Sequence, residues 1–575
     1  MGTDGRVACR LLCALLVLSA PLRAQDKVAS GQPLPAFGVR LADGTTRFYR
    51  VTEAQPGCGT VSDQWVEASV QRLGPEQWKL RLQCKQTPLR TVWFPWQPEQ
   101  SWLGDSSADD IVYYPALMGV VIRADSLREW GWRGGIYPGY CFAPLVVVAD
   151  RTSASIVAAA NWPPKRVRPY YSLHRVVLCY EEPVQPGDVQ EYHALISHVQ
   201  GDAARGRDPW RLALDKYGTW LRENMRAAGL YPLAYSEWLR ESHGWISVQL
   251  ENYRAFDVDE LRSLWQRWHG VLPWMQFWGQ MSNYAGPANL AVPPLRPDEA
   301  VGCCLDEPRM HPRYLPELLR LVREITSDGR AGYYARPRSP YRSLEEPDER
   351  KFLLTWLQKN REEYGANAFY IDVLGGRDFG APLSVARMLQ SLDSEIVIEY
   401  PVDVYPVAYL VSGCLQGGNW EGGPGRSVEE LGRGRDRTTF PRFGRYLLND
   451  RVIFLGENNS DWRFWGREHD CWTERQAFLL GAKFDAIHPD RSPLLKLALT
   501  AREKVRWWKR NPVYLDRAGI SDVPPGVDVR RFEGEQGETL FAVDNPGHQQ
   551  NAVFSFEGRT VPVPASALSA LVLEK

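Results

Sequence analysis

Hydrophobic positions follow three different patterns along the chain. Between about residues 26 and 205 the apolar runs are short: Val120-Val121-Ile122-Arg123, Leu145 to Ala149 and Ser155 to Ala159 are separated by Gly, Pro and Asp. That spacing predicts an all-β sandwich. Gly201 to Pro209 reads as a linker, and a helix is expected from Trp210 to about Ala228. From Gly244 onward, apolar runs alternate with stretches of helical period, such as Leu315, Leu318, Leu319, Val322 and Ile325, or Phe352, Leu353, Trp356 and Leu357. Strands alternating with helices predict a parallel sheet. After Pro512 short runs return, at Thr539–Val543, Ala552–Phe556 and Ala567–Leu573, with Asp544-Asn545-Pro546-Gly547 as a turn signal.

Eight strands are expected in the middle region. They are Trp245–Leu250, Val271–Gln280, Arg330–Tyr334, a run ending at Asp372, a run ending at Glu399, Tyr409–Leu415, Arg451–Glu457 and Phe484–His488; a helix from Leu494 to about Lys509 follows. Eight such units over about 250 residues fit a β/α barrel. The expected fold is therefore multidomain. A signal peptide (1–24) precedes an N-terminal β-sandwich (25–205), a central (β/α)8 TIM barrel (206–511) and a small C-terminal β-sandwich (512–575).

Two of these runs end on an acid. Asn367-Ala368-Phe369-Tyr370-Ile371-Asp372 stops at a carboxylate before Gly375-Gly376, and Glu395-Ile396-Val397-Ile398-Glu399 does the same before Tyr400-Pro401. Carboxylates are rarely buried unless paired or used, and the carboxyl ends of barrel strands are where catalytic groups sit. Two acids on successive strands fit glycoside hydrolysis, with Asp372 as nucleophile and Glu399 as acid/base. Asp403, past the Pro401 break, is the alternative acid. Glu251, Gln276, Trp278, Trp420, Glu457, Asn458, Trp462 and His488 fall at strand ends or in adjoining loops, and are the candidate sugar contacts. Trp278, Trp420 and Trp462 would offer flat faces for stacking. The glycine-rich stretch from Gly422 to Arg435 has the composition of a flexible lid over the same face.

Composition agrees with an exported enzyme. There are 68 Lys and Arg against 69 Asp and Glu, a formal net charge of -1, which argues against a general nucleic-acid binder. Arg6, Arg10, the apolar run Leu11–Leu18 and Ala24 form a secretory signal, predicting a secreted or periplasmic protein. That run is too short to span a bilayer, so no membrane insertion is expected. Export would permit disulfides Cys58–Cys84 and Cys141–Cys179. No C-x-x-C, His-x-His, G-x-G-x-x-G, P-loop or G-x-S-x-G motif occurs, so no metal or organic cofactor is expected.

The strand Tyr370-Ile371-Asp372-Val373-Leu374-Gly375 resembles the nucleophile strand of the endo-α-N-acetylgalactosaminidase family, and Ile398-Glu399-Tyr400 resembles that family's acid/base strand. The layout of sandwich, barrel and small β domain is similar to the wider α-galactosidase (melibiase-like) group. Leu374 departs from the pattern, standing where an aromatic is common. The resemblance implies a retaining α-glycosidase acting on an oligosaccharide or glycoconjugate. A carbohydrate-binding protein on a degenerate barrel and a metal-dependent barrel hydrolase are the competing readings.

Overall fold

The computed structural model describes residues 34–98, 110–116, 119–123, 135–137, 141–172, 175–231, 236–249, 258–278, 315–335, 346–371, 380–392, 394–399, 410–417, 437–440, 442–456, 474–486 and 489–573. Its first region is two antiparallel sheets, one of five strands and one of nine. They share a core that includes Phe37, Val92 and Leu178 from the smaller sheet and Leu80, Val146 and Val157 from the larger. Strand Ser153–Ala159 is buried at every position. Ala154, Ile156 and Ala158 face one core and Val157 and Ala159 the other. Covering both faces explains why this strand lacks polar alternation.

Helix α1 (Pro209–Ala227) covers the outer face of the nine-stranded sheet. Its Trp210 ring stacks on Tyr113 at 5.4 Å and meets the edge of Phe440 at 5.4 Å. The segment expected as a linker is not slack. Asp202 N–H donates to Arg207 O at 2.9 Å, and Gly206 O accepts from Gly519 N–H at 3.1 Å. Gly206 has φ 68°, and a Cβ there would lie 2.6 Å from the Gly519 and Ile520 nitrogens, so close backbone approach requires glycine.

The central region closes into a ring of eight parallel strands: β1 (Gly244–Gln249), β2 (Trp274–Trp278), β3 (Arg330–Ala335), β4 (Ala368–Ile371), β5 (Glu395–Glu399), β6 (Gly413–Gly417), β7 (Ile453–Gly456) and β8 (Lys483–Ala486). Gly244 pairs with Phe484 to complete it. Following paired partners once around the ring from Trp245, through Trp274 and Arg330 and back across that closing pair, returns eight positions below the start. A shear of eight for eight strands makes the interior a packed core. Short helix α2 (Glu237–Glu241) plugs the amino-terminal end, with Leu239 packed among Trp245, Trp274 and Phe454.

β6 lies later than the expected Tyr409–Leu415. Leu410 and Val411 are buried in the turn before it, where Gln390 Nε2 donates to Leu410 O at 2.7 Å. β8 begins at Lys483, earlier than expected. The last barrel helix, α3 (Pro493–Lys504), stops short of Lys509, and a 3-10 turn, Trp507–Arg510, follows Arg506 at φ 50°.

Residues from Val513 onward form sheets of four and three strands around Val529, Phe541, Val543, Phe554 and Phe556. One continuous core runs from the nine-stranded sheet through the barrel's outer layer to Tyr514 and Phe532 of this tail. Strand Arg437–Thr439, between β6 and β7, pairs with Val120–Arg123 and is the ninth, edge strand of the larger N-terminal sheet.

The expected disulfides are absent: Cys58, Cys84, Cys141 and Cys179 are free thiols. Cys58 and Cys84 flank an intervening strand and lie at different heights, opposite Gln71 and Val66 respectively. Two strand spacings are about 9–10 Å, beyond disulfide reach. Cys141 instead donates to the Tyr114 hydroxyl at 3.3 Å, while Cys179 lies in the five-stranded sheet opposite Trp93 and Arg168.

Candidate functional site

With equal strand number and shear, inward positions of alternate strands share a height. The paired registers therefore stack the interior in levels of four. The lowest holds Trp274, Ala368, Gly413 and Lys483. The second holds Trp245, Gly332, Val397 and Phe454. The third comprises Gln276, Tyr370, the Leu415 position and Asp485, and the fourth comprises Ser247 and the positions of Tyr334, Glu399 and Gly456. Trp245 and Phe454 stack at 4.1 Å although β8 lies between their strands, as residues at one height can. A Cβ at Gly332 would lie 2.2 Å from Gln276 Oε1 and 2.3 Å from Trp274 Nε1, so glycine makes room for that pair.

The lower levels are aromatic and sealed. At the foot, Lys483 Nζ donates to the backbone oxygens of Arg240 and Ser242 and lies 3.8 Å from the Trp508 ring centroid. Burial and the nearby Arg502 hold this amine well below its usual range. His243 Nδ1 accepts from Trp508 Nε1 at 2.8 Å, which leaves the Nε2 proton for Glu503. A cavity of about 440 Å3 opens at this end, lined by Ser236, Arg330, Asn367, Glu395 and Ser412 among others. Its polar groups are engaged in structure. Ser236 Oγ donates to Glu395, Asn367 Oδ1 accepts from Ala331 N–H at 2.9 Å, and Ser412 Oγ accepts from Ile396 N–H at 3.1 Å. The amino-terminal face of a β/α barrel is the stability face.

Above the foot occupied by Lys483, the third level is the next polar one. Gln276 is fully buried, its Oε1 accepting from Trp274 Nε1 at 3.1 Å and its Nε2 donating to Phe277 O at 3.3 Å. It is therefore a packed core amide beneath the mouth. Asp485 is 6% exposed, and its Oδ1 accepts from both Trp245 Nε1 and Ser247 Oγ. Among the described residues its Oδ2 is buried without a hydrogen-bond partner. Burial pushes this carboxyl up to about 7, against the opposing pull of the Ser247 and Trp245 hydrogen bonds. The group is thus poised between donating and accepting near neutral pH.

Of the residues expected at the site, Glu399 closes β5 and Trp278 closes β2. Asp372, Glu251, Asp403, Trp420, Glu457, Asn458, Trp462 and His488 lie outside the described residues, as does the glycine-rich stretch. Sequence reasoning passed over Asp485 and Ser247. The available signal was the alternation Lys483-Phe484-Asp485-Ala486, which places two charges on one strand face. Among the described residues, no group of three or more His, Cys, Asp or Glu is placed to hold a metal ion, and no helix is long and apolar enough to cross a membrane.

No protein-family model matches the chain, and no curated protein matches it. Among solved structures it is similar to the α-galactosidase from Lactobacillus brevis, at 11% identity, covering 96% of this chain and 88% of that one with a TM-score of 0.47. It is also similar to a xylosidase from Aspergillus niger, at 11% identity, 93% and 85% coverage and a TM-score of 0.43. A third similar structure is a GH31 α-xylosidase from a soil metagenome complexed with xylose, at 9% identity, 91% and 98% coverage and a TM-score of 0.40.

Proposed function

We propose that this chain is a retaining glycoside hydrolase that cleaves an α-linked glycoside on a (β/α)8 barrel, with Asp372 as nucleophile and Glu399 as acid/base. The register of β4 against β5 carries the reading. Partners run from Ala368↔Glu395 to Ile371↔Ile398 at a constant offset, and the same offset carried one step on would set Asp372 beside Glu399. Tyr370 and Val397 belong to the barrel's inner core, and the two-residue period gives positions 372 and 399 the same parity as these two. Neighbouring strands lie about 4.8 Å apart, which favours the ~5.5 Å carboxyl separation of retaining enzymes over the wider inverting gap. Asp403 remains the alternative acid.

Parity also sorts the sugar contacts. Inward Phe454 favours Asn458 over Glu457 beyond β7, and inward Trp245 and Trp274 favour Glu251 and Trp278. Trp420 and Trp462 remain candidate stacking platforms and His488 a rim contact. The α-anomer rests on the resemblance of Tyr370-Ile371-Asp372 to the endo-α-N-acetylgalactosaminidase strand. Export through residues 1–24 and the division at 25–205, 206–511 and 512–575 belong to the same reading, with an oligosaccharide or glycoconjugate as substrate.

The test is a panel of aryl α- and β-glycosides, followed by trapping with a slow-leaving fluorinated sugar and peptide mapping. The label is expected on Asp372. Asp372→Asn should lower kcat by about 10³-fold or more. Glu399→Gln should lose about 10²–10⁴-fold on substrates with poor leaving groups and far less on activated ones, because these need no proton. A label on another residue, or full activity in Asp372→Asn, removes the assignment.

A further inference from the structure

We propose that Asp485 is the floor of the sugar pocket, where its Oδ2 hydrogen-bonds one ring hydroxyl and so sets which sugar the barrel accepts. This deepens the glycosidase reading above and rests on it for the identity of the ligand. The carboxyl is held in a fixed plane. Trp245 Nε1 and Ser247 Oγ, both from β1, converge on Oδ1, which directs Oδ2 elsewhere. Among the described residues nothing satisfies that second oxygen. A buried polar atom without a partner calls for one, and a ligand or a water is the usual answer.

Its place in the barrel indicates which. Asp485 lies in the third level of the interior, above the aromatic plug of Trp245 and Phe454 and below the strand ends. On the strands flanking β8, the next level up carries Ser247 on β1 and Gly456 on β7. One residue is small and the other has no side chain, so neither covers the carboxyl from the mouth side. The Gln276 amide of the same level is engaged elsewhere, its oxygen with Trp274 and its nitrogen with Phe277. Oδ2 is thus a buried, unsatisfied hydrogen-bonding position beneath the strand ends. A carboxyl accepts from a sugar hydroxyl when ionised and donates to it when protonated. A site built around one buried polar atom rejects analogues that lack its partner far more strongly than an apolar pocket rejects a change in size.

The competing explanation is structural, with Asp485 serving only to anchor Trp245 and Ser247. Asp485→Asn separates the two. The amide oxygen can still accept from Trp245 and Ser247, while an NH2 replaces the free oxygen. In the full chain, calorimetry would measure binding of free monosaccharides and their single-deoxy derivatives to wild type and Asp485→Asn. Aryl glycosides of the same sugars would give kcat/KM. One hydroxyl is expected whose removal weakens wild-type binding by about 30-fold and the variant by less than about 3-fold, with the same coupling in kcat/KM. Ser247→Ala, which frees one bond to Oδ1, should reduce that discrimination partially, and serves if the Asn variant does not fold. A folded Asp485→Asn that discriminates as wild type does, or a wild type that binds no monosaccharide, overturns the proposal. Hydroxyl coupling without turnover of any aryl glycoside would keep the floor and remove the hydrolase reading. Turnover with a labelled Asp372 and no coupling at 485 would do the reverse.

Discussion

Asp485 also makes a claim about stability. Burial raises its folded-state value to about 7, while an unfolded Asp titrates near 3.9. Between those values the folded chain holds a proton that the unfolded chain has lost. Stability therefore falls as pH rises through that window and stays lower above it. Among the described residues no charged side chain influences the group; Ser247 and Trp245 from β1 are the hydrogen-bonding neighbours, and Gln276 and Tyr370 share its level. Asp485→Asn has no proton to lose. The melting temperature of wild type should fall relative to this variant by several degrees between pH 5 and pH 8, measured by scanning fluorimetry; parallel curves would contradict it. The residue was hard to find from sequence because a barrel strand is buried on both faces. The pattern Lys483-Phe484-Asp485-Ala486 reveals two faces but does not say which one looks inward. Only the registers that close the ring decide that, and they turn Asp485 inward, whereas the candidate sugar contact expected from this strand was His488.

At the scale of elements, the closing pair of the barrel depends on one glycine. Gly244 has φ 149°, and a Cβ there would come within 2.0 Å of Phe484 O. Gly244→Ala must push β1 from β8 or strain the backbone, and should cost about 3 kcal/mol in urea unfolding. Gly270, after the helix that precedes β2, has no atom within 4 Å of its Cβ direction and no positive φ; Gly270→Ala should change stability by less than about 0.5 kcal/mol. Equal losses would show that the closing contact is not the cause. Most elements were legible from period alone. β1 was expected at Trp245–Leu250 and lies at Gly244–Gln249, β5 was expected to end at Glu399 and does, and α1 agrees within one residue. The misplaced β6 has a physical reason: Leu410 and Val411 are apolar because they pack in a turn, while the strand itself is Gly413-Cys414-Leu415-Gln416-Gly417, poor in β-formers. The linker was misread for the converse reason. Its glycines and charges look flexible, yet Gly206 is there to let the Gly519 backbone approach.

At the scale of the molecule, what the sequence could not reveal is how its parts are tied together. Strand Arg437–Thr439 leaves the barrel region for the N-terminal sheet, and Asp516 of the tail, fully buried, sits among arginines from elsewhere. Arg442 grips it with both ends of its guanidinium, at 2.7 and 2.6 Å, and Tyr514 donates at 2.8 Å. Arg211 of α1 and Arg530 stand 3.8 and 3.6 Å away. Residues so far apart in sequence carry no local signal of their pairing. Burial pushes the Asp516 carboxyl up, but Arg442, Arg530 and Arg211 outweigh it and hold the group far below the usual carboxylate range. Its contribution to stability is then fully present above the unfolded value near 3.9 and is lost as pH falls below it. Asp516→Ala removes the carboxylate that Arg442 grips with both ends and takes one of the partners of Arg211 and Arg530, which keep Asp208 and Asp528, and should cost about 3–5 kcal/mol at pH 7. The exposed Arg168–Glu181 pair at 3.1 Å gives the comparison, where Glu181→Ala should cost less than about 1 kcal/mol. The deficit of Asp516→Ala should hold from pH 8 down to pH 5 and narrow only in stronger acid, because the wild-type carboxylate stays ionised until then. Urea unfolding at these pH values decides it. A deficit that shrinks already at pH 5–6, or one no larger than that of Glu181→Ala, would mean that the tail is held by its apolar contacts at Trp507, Tyr514 and Phe532 and that the charge cluster adds little.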